Sequence, residues 1–168
     1  MRMEPVDGLC TLEEIRLLKY RHIRCVDLKL WDEIADTLTE DATMDYGVTA
    51  YGKPCEVRGR PGILAFYRTR LGPTVLTAHA AGQPEITLDE PDAATAVWSV
   101  RDTILATEHR IMVTGAGFAH DRYRRGPDGH WRITRTSCQQ TLEVMVSLDD
   151  LPTFRLESSP LPRLATRR

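Results

Sequence analysis

The chain has 168 residues and a formal net charge of −2, from 22 Lys and Arg against 24 Asp and Glu, with 42% of its residues hydrophobic. That length and composition suit one globular domain able to bury a sizeable core without cross-links. The balanced charge excludes a global field drawing it to nucleic acid or anionic lipid, and no apolar run approaches the ~20 residues that span a bilayer.

The opening "MRMEPVDGLC" lacks the apolar centre of a signal peptide, so the expected location is the cytoplasm. Cys10, Cys25, Cys55 and Cys138 are scattered, with no C-x-x-C pair, and read as reduced thiols. His22, His79, His109, His120 and His130 form neither an H-x-x-x-H helix nor a Cys/His quartet, so no metal site is indicated.

Taken in chain order, residues 11–29 are predicted helical, with Thr11 as N-cap and Glu14 completing a capping box. "WDEIADTL" spaces Trp31, Ile34, Ala35 and Leu38 as a second short helix. "TEDATMDYGV" turns into a strand carrying Met44 and Tyr46. "GRPGILAFYRTRLG" is a third helix over 61–71, with Pro61 in its first turn and Gly72 at its stop. From Pro73 the period becomes two, in the runs "TVLTAHA", "PEITLD", "TAVWSVRDTILAT", "IMVTGAGFAHDRYRR" and "HWRITRTSCQQTLEVM". "RRGPDGHW" is a hairpin turn. Its Arg122, Arg124, Arg125 and Arg132 alternate with Asp121 and Asp128, which predicts a solvated hairpin and no nucleic-acid patch. Helices segregated ahead of an antiparallel meander define an α+β domain. Residues 1–145 are expected to form that domain, and 146–168 a tail, loosely ordered or held at an oligomer interface.

Within the first helix, "YRHIRCVD" carries the chemistry. Leu12, Ile15, Leu18, His22, Ile23, Cys25 and Val26 gather on one half of the helix at 100° per residue. His22 lies near the middle of that apolar stripe, and Tyr20 and Asp27 share its border. In the strand "TAVWSVRDTIL", Ala96, Trp98, Val100, Asp102 and Ile104 share one face, while Thr95, Val97, Ser99, Arg101 and Thr103 share the other. Asp102 therefore points inward and needs a partner. His79, flanked by Ala78, Ala80 and Ala81, has room around its ring.

The order "LLKYRHIRCVDLKLWDEIADTLTEDATMDY", "GRPGILAFYRTRLGPTVLTAHAAGQPEITLD", "TAVWSVRDTI", "GFAHDRYRRGPDGHWRI" resembles the SnoaL-like branch of the nuclear transport factor 2-like superfamily. It is most similar to the group that includes scytalone dehydratase and bile-acid 7α-dehydratase, over roughly residues 8–140. The resemblance implies a cone-shaped, curved antiparallel sheet packed with three N-terminal helices around a deep apolar pocket. It maps the family's first-helix aspartate onto Asp27, its histidine onto His79 and the later acid onto Asp102. His22 stands where the dehydratases commonly have tyrosine, and Gln140 about where an arginine is often found.

The resemblance further implies cofactor-free acid–base chemistry. His79, held by Asp27 or Asp102, would remove a proton beside a carbonyl and return it to a departing hydroxyl, with His22 as a second base or hydrogen-bond donor. Tyr20, Met44, Tyr46, Trp98 and Tyr123 are the expected pocket residues, although Trp98, like Trp131, also suits plain core. The leading function is a lyase (dehydratase), isomerase or cyclase acting on a small hydrophobic polycyclic, polyketide- or steroid-like molecule. A non-catalytic binding module, and an interaction subunit like the small subunit of ring-hydroxylating oxygenases, are the alternatives. Apolar residues expected on the outer strand faces (Val97, Ile111, Val113) point to a homo-oligomer, with the resemblance favouring a trimer over a dimer.

Overall fold

The computed structural model describes residues 5–46 and 55–157. Its first helix, α1, spans Pro5–Leu28. Thr11, Ile15, Lys19, His22 and Val26 are buried along it at intervals of three or four residues, with Cys25 beside Val26, so they form one inward face. The expected Thr11 cap is corrected. Asp7 stands in the true first turn, where an acidic side chain is favourable, and Thr11 is buried inside the helix. Lys29, in the left-handed region at φ 57°, reverses the chain into α2 (Trp31–Thr37). Then follow β1 (Leu38–Asp45), β2 (Glu56–Arg58) and α3 (Arg60–Arg70). Pro61 lies in the first turn of α3, as expected, and Arg68 and Arg70 complement the helix dipole in its last.

Four long strands follow: β3 (Val75–Glu90), β4 (Ala93–Ala106), β5 (Ile111–Arg125) and β6 (Trp131–Ser147). They form the expected antiparallel meander. "TVLTAHA" and "PEITLD" are one strand, not two. The register shifts between Gly82 and Glu85, and Pro84, which has no N–H to donate, sits within that irregularity. The curved, unclosed sheet has the order β2-β1-β6-β5-β4-β3. One seam departs from the antiparallel expectation: β1 lies parallel to β6. A local alternation pattern cannot reveal this, because the direction of β1 is set by where α2 delivers it.

The helices cover the inner face of the sheet. Ile15, Ile34, Leu38, Met44, Ile63, Trp98 and Ile133 are fully buried there. The expected outer face needs one correction. Val113 pairs with Ile104, on the same face as Asp102, so Val113 and Ile111 are inner-face residues. Phe118, Leu142 and Val144 are the exposed apolar side chains of the outer face. The segment after β6 is anchored at its start: the Leu148 N–H donates to the Arg110 carbonyl at 2.7 Å, Arg110 pairs with Asp149, and Leu148 is buried. Residues 158–168, the second half of the expected tail, lie outside the described residues, as do Gly47 and Val48 of the first predicted strand. Among the described residues no helix is long and apolar enough to cross a membrane.

Candidate active site

Asp27 sits near the C-terminal end of α1, where the inward face of the helix meets β3. Its Oδ1 lies 2.6 Å from His79 Nδ1, and accepts from Thr77 Oγ1 at 2.8 Å. Its Oδ2 accepts from the His79 backbone N–H at 2.9 Å. Thr77 and His79, two apart on β3, point to the same side and together grip one carboxylate. Burial raises the carboxyl's proton affinity, but the His79 side-chain and backbone hydrogen bonds, His79 charge and Thr77 outweigh it and leave the pKa below the ordinary value. An ionised carboxylate only accepts, so the ring nitrogen facing it must carry a proton. The contact thereby fixes a proton on Nδ1, so that in the neutral ring Nε2 is the nitrogen with the free lone pair. The pair is half-buried, its side chains 28% and 21% exposed.

Asp102 is the direct cross-strand partner of His79, in an unbroken β4–β5 register that keeps it on the inner face. Burial raises its pKa, His79 partly offsets this, and Glu143 raises it again. The backbone makes room for it: a Cβ on Gly115 would stand 2.6 Å from Asp102 Oδ1 and 3.4 Å from Gln140 Nε2. Gln140 donates to Glu143 at 2.9 Å, and its buried Oε1 has no partner among the described residues. Two carboxyls whose environments shift them in opposite directions thus stand on either side of one imidazole.

His22 occupies a different environment. Its Nδ1 is 2.7 Å from Thr37 Oγ1, and Thr37 donates its own hydrogen to the Ile34 carbonyl at 2.6 Å. His22 Nδ1 must therefore donate, leaving Nε2 to accept from the Tyr67 hydroxyl at 3.4 Å. Tyr67 in turn lies 3.5 Å from the Tyr46 hydroxyl. Desolvation, then the Lys19 charge, lowers the His22 pKa to about 3. Burial makes the ring a weak base and protein groups engage both nitrogens, so neither role expected of His22, second base or hydrogen-bond donor, has a free nitrogen to act through.

Of the expected pocket residues, Met44, Trp98 and Tyr123 are packed into the core. The edge of Tyr20 meets the Trp98 ring with centroids 5.9 Å apart, and Trp98 Nε1 donates to the Tyr123 hydroxyl at 2.9 Å. Tyr20 and Tyr46 keep more than a third of their surface exposed.

The sequence reading missed Lys19 and misplaced Asp121. Asp121, expected in water, is 2% exposed. Its Oδ2 accepts from Lys19 Nζ and the Tyr123 hydroxyl, each at 2.7 Å, and its Oδ1 from Thr136 at 2.6 Å. The signal was present. Lys19 follows Ile15 by four and precedes His22 by three, and Ala119, Asp121 and Tyr123 alternate inward. Asp128, by contrast, is solvated as expected and holds Arg132 with both oxygens. Among the described residues no group of His, Cys, Asp and Glu has a metal-holding arrangement.

Known structures share this architecture. LinA, a hexachlorocyclohexane dehydrochlorinase of type 3 from Novosphingobium barchaimii, superposes with a TM-score of 0.73 at 16% identity, over 86% of this chain and 95% of that one. A candidate scytalone dehydratase from Novosphingobium aromaticivorans gives 0.72 at 16% identity, over 94% and 97%. A candidate aromatic ring hydroxylase from the same organism gives 0.72 at 23%, over 88% and 99%. Identities this low establish the fold alone. The family match is more direct, because the sequence model of the SnoaL-like domain covers residues 7–137, from the first turn of α1 to the middle of β6. The chain belongs to the SnoaL-like domain family, on the α+β cone of the nuclear transport factor 2-like superfamily.

Proposed function

We propose that the protein is a cofactor-free acid–base enzyme that eliminates water, or shifts a double bond, in a small hydrophobic molecule. The observation that carries this reading is the 2.6 Å contact between His79 Nδ1 and Asp27, which fixes the Nδ1 proton and leaves Nε2 as the nitrogen through which the neutral ring would act as base. An imidazole suits the task because it changes state near neutral pH.

In the proposed reaction Nε2 takes the proton from a carbon beside a carbonyl. The released electron pair forms the new C=C bond, and the bond to a β-hydroxyl breaks. Asp102, whose carboxyl burial shifts toward higher proton affinity, gives its proton to the departing oxygen, so that water leaves. Asp27 holds the tautomer and stabilises the imidazolium that forms. The structural neighbours include a dehydrochlorinase and a candidate dehydratase, and loss of HX across a bond is common to both names. The substrate class proposed, polycyclic and polyketide- or steroid-like, rests on the sequence resemblance.

The test is incubation in D2O with a panel of cyclic β-hydroxy ketones, read by mass spectrometry. A loss of 18 mass units, or deuterium at the carbon beside the carbonyl, supports the reading when it disappears in His79→Ala. Binding of the same compounds with neither change would establish a binding module instead.

A further inference from the structure

The outer face of the sheet, away from the Asp27–His79 pair, carries a groove of about 480 Å³. Its floor is two rows running across four strands. Thr87, Thr95, Arg122 and Arg135 form one, and Glu85, Val97, His120 and Ser137 the other. Arg122 and Arg135 are direct cross-strand partners. Like charges placed opposite one another on adjacent strands are destabilising.

The neighbouring pair of arginines shows how the fold manages such a juxtaposition. Arg124 and Arg132 also face each other, and each has its own carboxylate: Asp41 at 2.8 Å and Asp128 at 2.7 Å. Arg122 has no ion-pair or hydrogen-bond partner for its guanidinium among the described residues, and Arg135 reaches Asp45 only at 3.8 Å. Asp121, next in sequence to Arg122, is turned inward to Lys19 and gives no relief. Two guanidinium groups therefore share an open groove with the hydroxyls of Ser137 and Thr95 and the His120 imidazole. The carboxylate of Glu85 belongs to β3, two strands and roughly 10 Å from Arg122.

We propose that this groove binds a phosphate group, either inorganic phosphate or a small phosphate monoester, with Arg122 and Arg135 as its principal ligands. The planar guanidinium presents paired N–H groups that match phosphate oxygens. Two adjacent positive charges suit a group carrying roughly −1.5 to −2 at neutral pH better than a monocarboxylate. Glu85 confines the anion to the β5–β6 end. This site is independent of the catalytic reading, since none of its residues touches Asp27, His79 or Asp102.

Thermal unfolding of the wild type, Arg122→Gln and Arg135→Gln tests it, in millimolar phosphate, glycerol phosphate, acetate or chloride at matched ionic strength. Phosphate or its monoester should raise the wild-type Tm by about 2–4 °C over chloride, with acetate ineffective. The larger of the two shifts identifies the source. Both variants should lose most of the rise, and Arg122→Gln in chloride should be at least as stable as wild type because the repulsion is gone. Equal rises in wild type and Arg122→Gln would make the effect general salting and overturn the proposal. So would a Tm for Arg122→Gln in chloride well below wild type. Light scattering supplies a third check: a phosphate-insensitive dimer dissociated by Glu85→Gln would assign the arginines to a second copy's carboxylate instead.

Discussion

Lys19 Nζ and Asp121 Oδ2 stand 2.7 Å apart with both side chains almost closed to water, joining the middle of α1 to the centre of β5 across 102 residues of sequence. The desolvation of two charges is offset only because Tyr123 and Thr136 also donate to the carboxylate. Removing one partner leaves the other charged and unmatched. Lys19→Met should therefore lose about 3–5 kcal/mol in urea denaturation, and Lys19→Met with Asp121→Asn should recover most of it. A cost below about 1 kcal/mol for the single variant would show the pair to be energetically idle.

The Asp27–His79 pair carries the opposite expectation. Its side chains are partly exposed, so His79→Ala should change stability by less than about 1 kcal/mol. Turnover of any substrate found in the D2O assay should fall by roughly 10²–10⁴. Asp27→Asn should lower kcat similarly, because an amide can donate to Nδ1 and so move the ring proton to Nε2. A large fall in Tm with turnover retained would identify a structural histidine.

His22 predicts a pH dependence whose sign is fixed. Its folded-state pKa of about 3 lies below the unfolded value of 6.5. Between those values the unfolded chain binds a proton that the folded chain refuses. The stabilisation is complete above pH 6.5 and is lost as pH falls toward 3, at up to about 1.4 kcal/mol per pH unit. Asp27, depressed below the ordinary carboxylate value, adds a loss of the same sign only at lower pH. The difference between wild type and His22→Gln, followed by urea denaturation from pH 7 to pH 4, should shrink as the buffer is acidified. A constant difference would show that His22 does not resist protonation.

Gly115 tests the placement of Asp102. Elsewhere in a strand, Gly→Ala gains backbone entropy. Here the added methyl would stand 2.6 Å from Asp102 Oδ1, so the carboxyl must swing away. Gly115→Ala should reduce kcat by up to roughly 10²-fold through misplacement, with the Tm little changed. Unchanged turnover would remove Asp102 from the reaction.

The parts of this site that were legible in the sequence are those where a polar residue interrupts a strong period. Asp27 borders the α1 stripe, Asp102 shares a face with Trp98 and Ile104, and His79 lies among alanines. The same rule, applied without regard to charge type, would have found Lys19 and Asp121. A lysine reads as solvent-facing in any hydropathy pattern, and Asp121 was masked by the arginines around it. His22 was read correctly as inward, but its silence as a base depends on Thr37 and Tyr67, which α2 and α3 bring to it from 15 and 45 residues away. The pairing of β1 with β6 was illegible for the same reason. Neither strand's residues specify which distant edge it joins.

That parallel seam orders the assembly of the molecule in time. β3 through β6 join neighbours through short connections, so the meander can zip locally. β1 can pair early with the short β2, but its other edge stays open until β6 exists: Thr39 reaches the Ile133 carbonyl across 94 residues. On a ribosome, α1, α2 and β1 emerge first and wait with their apolar faces uncovered while nearly a hundred more residues are made. Closing so long a loop late makes β1 docking the step expected to limit refolding. Substitutions in the β4–β5 turn, already formed at that step, should then slow refolding and leave unfolding nearly unchanged, while those at Leu38 should divide their effect between the two rates.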